Sequence, residues 1–312
     1  MFQLYKKRDF SQLVSDTFTF FKMEGKSYFK NYFIINGGIL LLLVVVLYFF
    51  MKTFIDGTFS AAQTGNPDFM TDMVYANTLS YIGFGALFVI LISLASLINY
   101  SYPILFMKLM EDKKERSTEN IFSLLKKKFG RAILFYLISL FILVPLFILV
   151  FGITVLLIFV IVGIPILLVL MPAFMSWVTL SYYQFTTSND DYFRALGKAF
   201  EMLKSKFWSI VGSTLVMYII IQVILGVLTM IPYFIGIASM MTDLENINED
   251  PDGYISGISI LMTGIFIISI LFNYILQNLL LVNQGIIFYS IKEAEENISI
   301  ISEIDTIGNH EE

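Results

Sequence analysis

The sequence predicts an all-α, polytopic integral membrane protein: six transmembrane helices in three hairpin repeats, each preceded by a cytoplasmic amphipathic helix. Three observations predict it. The 312 residues are 57% hydrophobic and only 14% charged, with a mean hydropathy of +0.78, whereas soluble domains carry about a quarter charged residues. Six apolar runs are long enough to span the roughly 30 Å of hydrocarbon that about 20 helical residues cross. Each run is free of Asp, Glu, Lys, Arg and His. Finally, nineteen of the twenty Lys and Arg residues fall on one side of the six-span map, Lys52 alone falling on the other. Basic loops stay cytoplasmic during insertion, so both termini are expected on the cytoplasmic side.

Residues 1–30 are polar but patterned. Phe10, Leu13, Val14, Thr17, Phe18 and Phe21 recur at helical spacing, which predicts an amphipathic helix lying at the inner surface. Lys6, Lys7 and Arg8 imitate the basic start of a signal peptide. The first apolar run begins only near Tyr32 and is too long for a signal core, so it reads as a permanent span.

Span one covers about 32–51. A loop follows, with turn signals at Asp56-Gly57 and Gly65-Asn66-Pro67. Span two runs about 78–107 and ends at Lys108. From Ala132 to Asn189 no charge occurs, and these fifty-eight residues suit two spans with a tight turn near Gly152 to Gly163. Span five starts near Phe207 and ends by Pro232. An acidic loop carries Asp243, Glu245, Glu249, Asp250 and Asp252, and span six runs from about Ser256 to Ser290. Residues 1–292 then form a single transmembrane domain, and 293–312 an acidic cytoplasmic tail. Pro165 and Pro172 are expected to bend span four, because each removes a backbone donor.

An internal repeat divides the domain into units of about 8–110, 116–185 and 190–291. The first stripe overlays Tyr192, Ala195, Leu196, Ala199, Phe200 and Leu203. The middle copy (Ile121, Leu124, Leu125, Lys128, Phe129, Ala132) is degenerate, since Lys128 occupies an apolar slot. All three units enter from the same side, as parallel repeats do.

The segment from Phe193 to Trp208, Phe-Arg-Ala-Leu-Gly-Lys-Ala-Phe-Glu-Met-Leu-Lys-Ser-Lys-Phe-Trp, resembles the cytoplasmic helix of a group of polytopic bacterial membrane families. The best-known member is the membrane domain attached to some glycerophosphodiester phosphodiesterases. The resemblance is clearest over residues 190–230. It implies a fold and a bacterial inner-membrane setting rather than hydrolysis, because a catalytic barrel needs about 250 residues and no polar segment here approaches that length.

Composition argues against most chemistry. There is no Cys, and the one His, His310, lies in the tail. Thiol nucleophiles, a Ser–His pair, zinc clusters and cofactors are therefore not expected. No charge interrupts a span, which disfavours ion-coupled transport. The protein is expected to be no enzyme and to bind no nucleic acid.

Two groups of residues remain. The basic residues Lys126, Lys127, Lys128, Arg131, Arg194, Lys198, Lys204 and Lys206 are candidate contacts for anionic headgroups of the inner leaflet. The uncharged polar residues Asn99, Tyr102, Tyr182, Gln184, Asn273, Gln277 and Gln284 are candidates to line a polar cavity. Asn273, Gln277 and Gln284 are spaced to share one helix face, with Asn278 and Asn283 off it. The plainer reading of these groups is hydrogen bonding between helices, and it is preferred here. The functional expectation is a non-enzymatic inner-membrane protein that binds anionic lipid and supports a membrane partner or lipid organisation. The alternative is an uncoupled transporter or flippase-like conduit for an amphipathic solute. The tail's Ile300, Ile304 and Ile307 suggest a short helix able to dock on the basic helices.

Overall fold

The structure is a computed structural model and describes residues 2–64, 75, 78–158, 161–242 and 251–298. Among these the chain is helical, with no strands: α1 (Phe10–Thr64), α2 (Thr78–Glu111), α3 (Thr118–Ile158), α4 (Gly163–Thr187), α5 (Tyr192–Ser205), α6 (Phe207–Thr242) and α7 (Pro251–Glu296). Six of them, all but α5, are long and apolar enough to cross a membrane. The multi-pass membrane class follows from that length and composition.

Local chemistry sets the helix starts. Asp9 and Gln12 form a reciprocal capping box for α1. The Asp9 carboxylate accepts from the Gln12 N–H at 2.8 Å, and the Gln12 side chain accepts from the Asp9 N–H at 3.2 Å. Asp191 caps α5 by accepting from the Arg194 N–H at 2.9 Å. Pro165 falls in the first turn of α4, where N–H groups lack helical partners anyway, so only Pro172 removes a ladder bond there.

α3 extends to Ile158 and α4 begins at Gly163, so Gly152, expected at the start of the turn, lies inside α3. Ile161 takes φ +65°, and its N–H reaches the Ile158 carbonyl at 2.8 Å. Gly163 is required on packing grounds: a Cβ there would sit 2.6 Å from the Thr154 carbonyl oxygen.

The amphipathic segments differ from the expectation in one respect. Only α5 is a separate helix; Lys206 breaks the chain at φ −137°, ψ 44°. Residues 10–30 instead continue without interruption into the first apolar run, as 118–131 do into the third. The first junction carries no Gly or Pro, and the lone Gly130 at the second does not stop its helix. Asp56-Gly57 likewise lies inside α1 rather than in a turn, a single helical Gly costing only about 1 kcal/mol. Gly65-Asn66-Pro67, most of the acidic loop before span six, His310 and the tail isoleucines lie outside the described residues.

The chain groups into two compact units. One comprises Met1–Ile35, Leu97–Ile220 and Gln277–Glu312, the other Asn36–Ser96 and Ile221–Leu276. In the first, α4 packs against both α3 and α5. Its interior is rich in tyrosine: Tyr28, Tyr32, Tyr102, Tyr183 and Tyr289 are all fully buried. The second unit is built differently. Leu43, Val46, Leu47 and Leu91 form its core, with Ile39, Phe88, Ile92, Ile267 and Ile270 packed against them.

Candidate functional site

The first unit holds a network of uncharged polar side chains, with Asn99 of α2 at its centre and fully buried. Its Oδ1 accepts from the Tyr32 hydroxyl at 2.9 Å and from Asn278 Nδ2 at 3.4 Å, and its Nδ2 donates to Gln277 Oε1 at 3.0 Å. Gln277 Nε2 donates onward to the Tyr100 hydroxyl at 2.9 Å. Tyr28 donates to Asn278 Oδ1 at 2.6 Å, and Tyr102 to the Tyr28 carbonyl at 2.5 Å. The network thereby ties α1, α2 and α7 together. A second group joins α4, α6 and α7: Gln284 Nε2 donates to Thr214 Oγ1 at 2.7 Å, which lies 2.8 Å from Ser176 Oγ. Ser101 and Tyr182 are hydrogen-bonded across α2 and α4.

The expected polar set is divided among these groups, with Gln184 apart on Asp190 at 2.7 Å. Asn99, Tyr102, Tyr182, Gln184, Gln277 and Gln284 all belong to the first unit, whereas Asn273 is exposed and belongs to the second. Asn278 and Asn283, placed off the face by spacing, are fully buried. The reason is that α7 is enclosed on all sides from Leu280 to Ile291, so no single face of it is the inner one. Three buried amide oxygens have no partner among the described residues: Gln184 Oε1, Asn283 Oδ1 and Gln284 Oε1. A groove of about 340 Å³ between α4 and α6 is lined by apolar residues such as Leu167, Met171 and Met175, with Tyr218.

The basic candidates divide into two classes. Arg131 is structural. Its guanidinium donates to the Phe185 carbonyl at 2.6 Å and the Asp190 carbonyl at 2.8 Å, and stacks over the Phe185 ring. It therefore satisfies the Phe185 carbonyl in the last turn of α4, the negative end of the helix dipole, and the Asp190 carbonyl in the link to α5. Lys198 is also engaged, 2.9 Å from Asp190 Oδ2. Burial pushes the Asp190 carboxyl up. Bonds from Gln184, Lys198 and Ser188, with the Lys198 charge, outweigh that and hold it at about 2. Lys206 reaches the Arg8 carbonyl at 3.2 Å. Arg194 lies 3.9 Å from Asp191 with both side chains exposed, a weak pair, and Lys204 rests over the Phe200 ring. Lys126 and Lys127 are exposed and Lys128 is half-buried; none has an ion pair among the described residues. On α5 the buried stripe is Tyr192, Ala195, Leu196, Ala199, Met202 and Leu203. Phe200, placed in the stripe by spacing, is exposed, and Met202 takes its place.

Sequence reasoning missed Arg8. Only 2% exposed, it pins the segment preceding α1. Its Nε donates to Asp16 at 2.8 Å, and its two terminal nitrogens donate to the carbonyls of Leu4, Lys6 and Gln3. Its backbone N–H donates to Ser290 Oγ at 2.9 Å. Burial draws this guanidinium below its usual range, opposed by the Asp16 bond and charge. Beside it, Tyr5 and Tyr289 both donate to the Glu111 carboxylate, at 2.8 and 3.0 Å. Burial, then Glu111, pushes the Tyr5 hydroxyl well up. Three adjacent cations looked like a topology signal, and nothing local distinguishes the one that is enclosed. Tyr28 and Tyr32 were legible in part, since Leu13, Thr17, Phe20, Glu24, Tyr28 and Asn31 form a second, mixed stripe at helical spacing, the one α1 buries.

No group of three or more metal-ligating side chains occurs among the described residues. The chain matches no family model, no curated protein and no solved structure.

Proposed function

We propose that this chain is a non-enzymatic inner-membrane protein, with both termini cytoplasmic, that binds anionic lipid and supports a membrane partner or lipid organisation. The observation that carries the reading is the partition of the basic residues. Arg131, Lys198 and Lys206 are engaged within the fold, while Lys126, Lys127 and Lys128 at the start of α3 are left without an ion pair among the described residues. A cation beside an anionic leaflet gains about 1 kcal/mol, and these lysines have that interaction to make. The one-sided distribution of basic residues supports the orientation. The three hairpins of 8–110, 116–185 and 190–291, and the likeness of residues 190–230 to the membrane domain attached to some glycerophosphodiester phosphodiesterases, belong to the same proposal.

The test is lipid extraction from the purified chain followed by mass spectrometry. Enrichment of anionic over zwitterionic lipid relative to the source membrane is expected, reduced in K126Q/K127Q/K128Q. Lipid in the same proportions as the source membrane would overturn the reading. The conduit alternative has one observation in its favour, the unpartnered amide oxygens of Gln184, Asn283 and Gln284, which a polar solute could engage. It requires that Q284L abolish solute or lipid transfer in proteoliposomes while leaving the chain folded.

A further inference from the structure

We infer that the outward face of α1 between Phe18 and Phe33 is a second binding surface for anionic lipid headgroups, a deepening that rests on the lipid-binding reading above. Lys22, Lys26 and Lys30 are all exposed. Spaced by four, they lie within about 80° of the helix circumference and along about 12 Å of its length. None of them makes an ion pair among the described residues. The acids of the same stretch are occupied, Asp16 on the flank of this face and Glu24 on the buried side. Asp16 accepts from Arg8 and Lys6 at 2.8 and 3.0 Å, and the buried Glu24 faces Arg116 at 3.5 Å. Between Phe10 and Ile35 the outward face therefore carries three cations and no unpaired carboxylate.

Two further features select lipid over bulk water as the neighbour. Phe18 and Phe33 bracket the lysines and are 44% and 48% exposed, the arrangement by which rings enter the acyl boundary while lysines stay at headgroup level. The helix also runs on without a break into the first apolar run, so this face is tethered at the membrane. The lysines of α1 thus differ from Arg131, Lys198 and Lys206, whose donors are already taken.

The test places a benzoylphenylalanine at Phe18 in the full chain. The protein is irradiated in phosphatidylcholine nanodiscs containing dansyl-phosphatidylglycerol, then in matched discs containing dansyl-phosphatidylcholine. An adduct preferring phosphatidylglycerol is expected, and the preference should fall on the order of a hundredfold in K22Q/K26Q/K30Q at low salt. Because the three lysines are exposed, unchanged thermal unfolding of that variant confirms that it is folded. Equal labelling by both lipids, no lipid adduct, or crosslinking instead to the acidic residues 299–312 or to a copurifying protein would each overturn the inference. Lipid extracts separate it from the broader reading. Anionic enrichment that depends on Lys126–Lys128 but not on Lys22, Lys26 and Lys30 sinks the α1 surface alone, and no enrichment at all sinks both.

Discussion

The two units solve the packing problem by opposite means. Among the described residues, the second unit buries only Asn36, Thr263 and Tyr274 as hydrogen-bonding side chains and otherwise packs Leu, Ile, Val, Ala and Phe. The first buries asparagines, glutamines, hydroxyls, tyrosines and an arginine. In a bilayer, aliphatic packing is a weak director, because lipid tails are as apolar as leucine and no hydrophobic force draws helices together. Hydrogen bonds are directional and tolerate few alternative registers. The comparison teaches that the first unit is specified by its polar bonds, whereas the second relies chiefly on shape, with the Tyr274 hydroxyl's bonds to Ser96 and the Ile92 carbonyl as its polar ties.

The largest expected effect comes from removing the enclosed charge. R8M leaves Asp16 without its closest partner and frees three carbonyls, and should destabilise the protein by about 3–5 kcal/mol. Thermal unfolding in detergent checks it; a shift no larger than that of an exposed lysine variant would break the comparison. Next, N99L strips the hub of the network, leaving Tyr32, Gln277 and Asn278 to find other partners. A loss of about 2 kcal/mol is expected despite similar volume. Equal stability would mean that shape, not bonding, also governs the first unit.

Gly285 sharpens the point from the packing side. A Cβ there would collide with the Tyr183 hydroxyl and the Met107 sulfur. The thioether can swing away but the phenol cannot, because it donates to the Leu281 carbonyl at 3.2 Å. G285A should cost about 1–2 kcal/mol by overpacking, and Y183F in the same background should recover part of it.

A smaller effect is tied to pH. Asp190 is held near 2, below its ordinary 3.8, so its contribution is fully present above about pH 4 and is lost as the pH falls through 2. Unfolding followed between pH 5 and 2 should show that loss in the wild type, and D190N should flatten the component; an identical pH profile in the variant would contradict it. Smallest, and opposite in sign, is T263V. It removes a buried hydroxyl with no partner among the described residues and should stabilise the second unit by about 1 kcal/mol.

The helical class and the six long apolar helices were legible because run length and charge exclusion are properties of the chain itself. The buried stripe of α5 was legible because that helix has one wet side; even there, Met202 displaced Phe200. Spacing failed on α7, where Asn278 and Asn283 are as enclosed as Gln284, because periodicity names an inner face only for a helix that also has an outer one. It failed on Arg8 and Arg131 for a different reason. A buried guanidinium is tolerated only when distant carbonyls converge on it, and Phe185 and Asp190 lie more than fifty positions from Arg131. The continuity of α1 past Tyr32 was missed because a change in polarity was read as a change in conformation.

The segment held by Arg8 also orders events during synthesis. Its backbone bond partner, Ser290, is translated 282 residues later, and Lys7 donates to Asn297 at 2.8 Å, later still. Until α7 has been delivered, Arg8 lacks its backbone partner and the enclosure that α7 helps to form. Residues made early are thus among the late ones to settle, and they act as a clasp that closes only once α7 is in place.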